Sequence, residues 1–303
     1  MWPWLDTLPT LTATIRPVKL LATAAVGAVL AAVLPLAACD SSSADGEAGA
    51  PASLKVDRFD SAAAWRLLEY QVELGPRPAG SEPSRRLARR LRRLLPRGRF
   101  QPVPDGLRNV VGTVRGREPG YVVVGAHYDT KDIPGFLGAN DGASGTAIVT
   151  ELARTIRRPR HTIHFILFDG EESPRGSRNF FRDGLRGSKV AAPRFREARA
   201  MVLLDFVGEK RLRIPREGYS NEQLWERLRR AARQVGAGAV FPDGVQGAIQ
   251  DDHLPFLQEG VPAIDLIDFD FPCFHVRCDD LSVVSERSLD AVGETVLKLV
   301  ASL

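Results

Sequence analysis

The chain has 303 residues, 44% of them hydrophobic, which is enough apolar material for one large core or two small ones. Its formal net charge of +4 is small and its basic residues are interleaved with acidic ones, so we expect no nucleic acid partner. Three cysteines, Cys39, Cys273 and Cys278, show no paired CxxC spacing, which excludes a thioredoxin-type redox site and a cysteine-based zinc site of that pattern.

An apolar segment near the N-terminus predicts export from the cytoplasm. After Lys19 the run 20–38 is uncharged and almost wholly apolar, and it ends in two alanines directly before Cys39. This ending resembles a bacterial lipoprotein signal, whose cleavage makes the cysteine a lipidated N-terminus. The alternative is an uncleaved transmembrane helix, because the run approaches the roughly 20 residues that cross a bilayer. Either structure would anchor the protein to a membrane outside the cytoplasm.

The sequence divides into three predicted parts. Residues 1–38 form the lipoprotein-type signal segment. Residues 39–53 are poor in large apolar side chains and rich in serine, alanine, glycine and acids, which is typical of a disordered linker. Residues 54–303 form a single folded domain, in which short β-rich runs alternate with helical patterns.

Apolar residues at helical spacing predict five helices in this domain. They cover residues 60–74, 82–95, 145–156, 221–235 and 285–300. In the second helix, arginines occupy the sides that do not carry leucines. We interpret these arginines as a solvated face, with attraction to anionic lipid near the tether as the alternative.

Four short runs predict β-strands, at residues 109–114, 121–126, 162–168 and 200–206. Several of them are continuously apolar, as in Val122-Val123-Val124, and such strands are buried on both faces. We therefore expect an α/β domain with a mostly parallel mixed sheet covered by helices on both faces.

Acids and histidines follow the predicted strands, and a Gly-rich turn at 138–145 presents one more acid at the start of a helix. Because the carboxyl ends of parallel strands meet at one edge of a sheet, we expect these side chains to converge there. Carboxylates and imidazoles bind zinc, and a catalytic zinc keeps three protein ligands and one open position. The candidates at strand ends and in the turn are His127, Asp129, Asp141, Asp169, Glu171, Glu172, Asp205 and His275.

From residue 60 to 303 the sequence resembles the family of zinc aminopeptidases and glutaminyl-peptide cyclotransferases. The resemblance rests on six motifs in the family's order. They are GPR at 75–77 with AGS at 79–81, AHYDT at 126–130, the Asn-Asp-Gly turn at 140–142, FDGEE at 168–172, LLD at 203–205 and the histidine at 275.

The resemblance implies a role for each candidate residue. Asp141, Glu172 and His275 would bind zinc, and Glu171 would be the catalytic acid/base. In the peptidases His127 and Asp205 would complete a second metal position. Asp129 would orient His127.

The segment IQDDH at 249–253 resembles the glutaminyl cyclase branch most closely. In that branch Asp251 would hydrogen-bond the acid/base Glu171, and Asp205 would join this catalytic proton network without binding a second metal. Asp251 and Glu171 would share a proton, which raises the effective pKa of the pair. The long stretch between Glu172 and the Gly-Ser at 187–188 also resembles cyclases, although the Gly-Ser at 176–177 fits the shorter peptidase version.

The predicted substrate pocket contains Gln250 and Phe274. Cyclases normally have a tryptophan directly before the zinc histidine and another in the loop after the glutamate pair. Here Phe274 stands at the first place and Phe180 or Phe181 near the second, which keeps an apolar wall but removes the indole N–H.

The resemblance thus implies a zinc-dependent glutaminyl-peptide cyclotransferase, an acyltransferase that converts the N-terminal glutamine of peptides or proteins to pyroglutamate with one zinc. The alternative is a zinc aminopeptidase with one or two zinc ions. Cys273 and Cys278 flank His275 and either form a disulfide in an oxidising compartment or remain two thiols.

Overall fold

A computed structural model describes residues 50, 51 and 53–303. The predicted signal segment 1–38, Cys39 and most of the predicted linker lie outside these residues. Among the described residues, no helix is both long enough and apolar enough to cross a bilayer.

A six-stranded mixed sheet lies at the centre of the domain, with the strand order β1-β2-β4-β3-β5-β6. Four neighbouring strands, β4, β3, β5 and β6, run parallel, while β1 and β2 pair antiparallel at one edge. The predicted mostly parallel mixed sheet is therefore confirmed. The strands are β1 Arg99–Pro102, β2 Arg108–Val114, β3 Glu118–His127, β4 His161–Phe168, β5 Met201–Asp205 and β6 Ala263–Ile267.

Eight α-helices of the described region surround the sheet. The larger core joins one face of the sheet to α1, α2, α3, α6 and α8, and a smaller core joins the other face to α5 and α7. Both faces are covered, as the apolar strands predicted. The helices are α1 Ser61–Glu73, α2 Glu82–Leu94, α3 Ala143–Thr155, α4 Phe180–Asp183, α5 Arg186–Ala191, α6 Glu222–Val235, α7 His253–Gln258 and α8 Glu286–Val300.

The carboxyl ends of β3, β4 and β5 bring their last residues to the same edge of the sheet. His127 pairs in register with Phe168, the last residue of β4. The turn that precedes α3 approaches these ends closely, because Gly142 has φ +84° and a Cβ there would lie 2.7 Å from the carbonyl oxygen of Asp129. Glycine at this position therefore allows the turn to place Asp141 beside His127.

Candidate active site

Three side chains from separate parts of the chain form the first cluster of possible metal ligands: Asp141, Glu172 and His275. His275 Nε2 lies 3.3 Å from Asp141 Oδ2 and 3.0 Å from Glu172 Oε1. Asp141 Oδ2 is buried and has no hydrogen-bond partner within the described residues. Two carboxylates and an imidazole form a donor set that suits zinc. The residues present therefore fit the metal that the sequence predicted.

A second cluster shares Asp141 with the first. His127 Nε2 lies 3.3 Å from Asp141 Oδ1 and 3.2 Å from Asp205 Oδ1, and all three residues are buried. Burial disfavours the imidazolium of His127, but the charges of Asp205, Asp129 and Asp141 outweigh it and raise its pKa. The structure thus brings together the residues of both predicted metal positions around one aspartate.

Asp129 supports the site differently from the prediction. Its carboxylate accepts the backbone N–H groups of Gly170, Glu171 and Glu172 at 3.0, 3.2 and 3.2 Å. His127 Nδ1 contacts the backbone carbonyl oxygen of Asp129 at 3.1 Å, whereas the nearer carboxylate oxygen is 3.8 Å away. The side chain of Asp129 therefore fixes the turn that carries the two glutamates, and its backbone orients His127.

Asp279 supports Asp141 and was missing from the candidates. Its carboxylate accepts the backbone N–H groups of Asn140 and Asp141 at 2.7 and 3.0 Å. Arg77, which is fully buried, donates to the carbonyl oxygens of Leu137 and Gly138 at 2.9 and 3.1 Å. The Asp-Asp pair at 279–280 was the one sequence signal for this support.

His275 was predicted at the end of a strand because it follows an apolar run, but it does not lie at a strand end. It lies in the loop eight residues beyond β6, with φ +53°. A disulfide joins Cys273 to Cys278 and closes this loop around the histidine. Phe274 stacks on the imidazole, with ring centroids 3.9 Å apart. The disulfide and the stacked ring thus fix the position of this predicted ligand, which no strand holds.

Glu171 is the predicted acid/base, and it is 7% exposed beside the first cluster. Burial raises the pKa of its carboxyl group well above the ordinary range, and the negative charge of Glu172 raises it further. Lys131 Nζ lies 2.7 Å from the other oxygen of Glu172, Oε2. Glu171 therefore has a proton affinity that suits a group exchanging protons with substrate.

Asp251 differs from its predicted contact. Its charge acts on Glu171, but within the described residues neither its Oδ2 nor either carboxylate oxygen of its neighbour Asp265 on β6 has a hydrogen-bond partner. Burial raises the pKa of both aspartates, and that of Asp265 more strongly. Asp251 and Asp265 thus belong to a buried acidic cluster whose charge acts on Glu171 through Asp251.

A buried histidine and glutamate continue this acidic network; the sequence indicated the histidine only as part of the segment 249–253, and it did not reveal the glutamate. His253 lies between two carboxylates, with Nε2 3.2 Å from Glu217 Oε2 and Nδ1 3.7 Å from Asp265 Oδ2. Glu217 also accepts the backbone N–H of Ile249 at 2.9 Å. This contact positions the segment that carries Gln250 and Asp251.

A cavity of about 480 Å³ opens beside Glu171 and both metal clusters. Phe274 and Gln250 line it as predicted. Phe180 also lines it, whereas Phe181 lies outside the lining and faces Lys189, whose Nζ is 5.1 Å from its ring centroid. The remaining lining residues are Lys131, Asp141, Glu171, Glu172, Ser173, Ser177, Arg178, Asp205, Phe206, Ala248, Ile249, Asp251, Ile267, Phe269 and His275.

The two alternative Gly-Ser pairs occupy different environments. A Cβ on Gly187 would lie 2.4 Å from Asn109 Oδ1 and 2.9 Å from the carbonyl oxygen of Asp169, so close packing against the sheet requires glycine there. A Cβ on Gly176 would have no atom within 4 Å. The pair at 187–188 therefore packs on the sheet, and residues 173–185, a long loop that includes the one-turn helix α4, lie beside the cavity.

Comparison with known proteins finds a match to the model of Peptidase family M28 over residues 109–300. The glutaminyl-peptide cyclotransferase of Bos taurus is 29% identical over an alignment of 231 positions, and the match covers 61% of this chain and 63% of that protein. The similarity thus spans less than two thirds of this curated relative. The resemblance identified from the motifs is confirmed at the level of the family.

Two solved structures share the fold over nearly their whole length. The glutaminyl cyclase of Bacteroides thetaiotaomicron bound to N-acetylhistamine is 27% identical, with a TM-score of 0.73 over 82% of this chain and 99% of that one. A Zn-dependent exopeptidase from Parabacteroides distasonis ATCC 8503 is 26% identical, with a TM-score of 0.73 over 82% of this chain and 100% of that one. The similarity therefore includes both a cyclase and a peptidase.

Proposed function

Because the chain belongs to peptidase family M28, we propose that it is a zinc-dependent glutaminyl-peptide cyclotransferase, which converts the N-terminal glutamine of peptides to pyroglutamate. The observation that carries this proposal is which segments form the walls of the cavity. The long loop 173–185 and the segment 249–251 both contribute walls to it, directly beside Glu171 and Glu172. The family and its Zn-dependent exopeptidase imply zinc.

The proposed reaction is intramolecular and requires one group that moves a proton. A bond forms between the α-amine nitrogen and the γ-carbonyl carbon of the glutamine, and the bond from that carbon to the amide nitrogen breaks. Glu171 removes a proton from the α-amine and returns it to the departing ammonia. When bound by Asp141, Glu172 and His275, zinc supplies Lewis acidity to the γ-carbonyl oxygen.

The apolar walls of the cavity suit this chemistry, because the reaction needs no water. Phe180, Phe206 and Phe274 line the cavity, and Ile249 and Ile267 extend the apolar surface. Such walls exclude water and strengthen the electrostatic interactions of Glu171. The charge of Asp251 keeps the proton affinity of Glu171 high.

The second candidate function is a zinc aminopeptidase. It is favoured by the cluster of His127, Asp141 and Asp205, because these residues could hold a second metal, which would supply further Lewis acidity for hydrolysis of the first peptide bond. The two functions differ in product and in metal content. The experiment that separates them incubates the zinc-loaded protein with a Gln-initiated and a Leu-initiated peptide. Ammonia loss from the first alone supports the cyclase, and shortening of either supports the peptidase.

Replacing Asp251 with Ala is expected to lower turnover of a Gln-initiated peptide about 100-fold while zinc content stays unchanged. The reason is that the carboxylate acts on the proton affinity of Glu171 and does not belong to the first metal cluster. Asp270→Ala removes an exposed aspartate outside the cavity and serves as the control. Turnover equal to the parent in Asp251→Ala would remove this residue from the mechanism.

We also propose that the chain is exported and tethered to a membrane by lipid on Cys39. The motif of two alanines before the cysteine, at the end of an apolar run, supports this proposal. Cys39→Ser is expected to remain an uncut precursor or to be released from the membrane fraction. A variant that stays in the membrane fraction at the parent's mass would indicate a transmembrane helix instead.

A further inference from the structure

One face of α2 carries six exposed arginines and a single acid, Glu82. At 100° per residue these arginines cover an arc of about 160° around the helix. The opposite side, with Leu87 and Leu91, is buried in the core. The exposed arginines are Arg85, Arg86, Arg89, Arg90, Arg92 and Arg93, and together they are called the α2 arginine face.

Within the described residues, carboxylates neutralise little of the positive charge of this face. Within the described residues its one ion pair joins Arg89 Nη2 to Glu82 Oε1 at 3.5 Å, and both side chains are at least half exposed. Arginines three and four residues apart repel one another and destabilise the helix. A surface that served solubility alone would mix charges of both signs in comparable numbers, so a face of six arginines and one glutamate favours a partner of opposite charge.

The aromatic neighbours of the face indicate which kind of anionic partner it fits. The guanidinium of Arg90 lies 4.1 Å from the ring centroid of Tyr70, and that of Arg92 lies 5.1 Å from that of Phe100. Arginine therefore covers both rings. Proteins that bind single-stranded nucleic acid stack bases on aromatic rings, and these two rings are not free to do so. A convex row of guanidiniums instead suits the phosphate layer of a bilayer.

The face lies on the folded domain that follows the proposed tether. Residues 39–53 would span at most about 50 Å when fully extended. A lipid on Cys39 would therefore keep the domain close to the membrane. This step rests on the proposed tether, whereas the charge of the face does not.

We propose that the α2 arginine face binds the surface of an anionic phospholipid bilayer. Each arginine near such a surface strengthens binding about fivefold at physiological ionic strength, and added salt screens the attraction. The face would hold the domain against the membrane in a preferred orientation.

The test uses a chain that lacks the apolar run, so that only the folded domain can bind lipid. Residues 46–303 form one compact unit, and two solved chains of this fold match 82% of this chain over 99% or more of their own length. Sedimentation with phosphatidylcholine vesicles, with and without phosphatidylglycerol, measures the partition constant. We expect binding to the anionic vesicles only, and its loss at high salt.

Two matched double variants identify the surface. Arg86→Glu with Arg93→Glu reverses two charges of the face, and Arg230→Glu with Arg233→Glu reverses two exposed charges of α6. The first pair is expected to weaken binding at least 25-fold, because two arginines are lost and each contributes about fivefold. The second pair is expected to change binding far less.

Equal binding by the parent and the first pair, or no binding of the parent to anionic vesicles, would overturn the proposal. Tighter binding of the parent to a DNA duplex than to the vesicles, lost in the first pair, would assign the face to nucleic acid and overturn it too. Turnover of a Gln-initiated peptide by both pairs, equal to that of the parent, shows that they are folded. That assay also reports the proposed function separately, because neither pair touches the cavity.

Discussion

Replacing Glu171 with Gln is expected to lower turnover of a Gln-initiated peptide about 10²- to 10⁴-fold and to leave the zinc content unchanged. Glutamine has nearly the same volume as glutamate but cannot accept the α-amine proton. Glu171 also lies outside both clusters of possible metal ligands. Steady-state kinetics together with metal analysis of the purified protein measures both quantities.

Glu172→Gln is the matched control, because the same change is made one residue along the chain at a predicted ligand. It should lose zinc and turnover together. A Glu171→Gln variant with normal turnover would show that another group moves the proton. Retained peptide binding with lost turnover would in addition exclude a protein that only binds peptides.

His275→Ala is expected to abolish turnover and to weaken zinc binding by more than about 100-fold. The loss of residues that merely orient metal ligands costs 10- to 100-fold in affinity, and His275 would be a ligand itself. The fold should persist, because His275 lies outside the sheet, in a loop that the disulfide closes. Zinc titration of the metal-free protein measures the affinity, and a thermal melt measures the fold.

His164→Ala is the control for this variant, because His164 lies on β4 in contact with Tyr121 and Phe195, in the smaller core. It should keep its zinc. Full zinc occupancy in His275→Ala would remove His275 from the metal centre.

Local patterns predicted most of the architecture. The apolar spacing that predicted α1 begins where Asp60 caps the N-terminus of the helix. The carboxylate of Asp60 accepts the backbone N–H of Ala63 at 2.8 Å. Continuous apolar runs located β2 to β5, since burial on both faces leaves no polar positions. Most of the strand-end acids and histidines then met at one edge of the sheet, because parallel strands share their carboxyl ends.

The sequence missed what tertiary contacts create. β1 is a four-residue edge strand in which polar Arg99 and Gln101 alternate with less polar residues. It is too short for this alternation to predict a strand. β6 carries Asp265 within its apolar run, and its buried carboxylate lies 3.7 Å from His253 Nδ1, a contact that the chain pattern does not show. The burial of Glu217 and His253 depends on the same contacts.

The position of His275 shows a third limit. Strand periodicity cannot locate a loop residue, and the left-handed backbone at His275 follows from a disulfide and from stacking against Phe274. Its motif was therefore informative about chemistry and uninformative about geometry.

The most direct measurement is mass spectrometry of one Gln-initiated peptide after incubation with protein that carries one zinc per chain. The proposed cyclase would yield a peptide of unchanged length that has lost one ammonia. Under the same conditions a Leu-initiated peptide would keep its first residue. A shortened peptide, together with two metals per chain, would assign His127 and Asp205 to a second metal and contradict the cyclase.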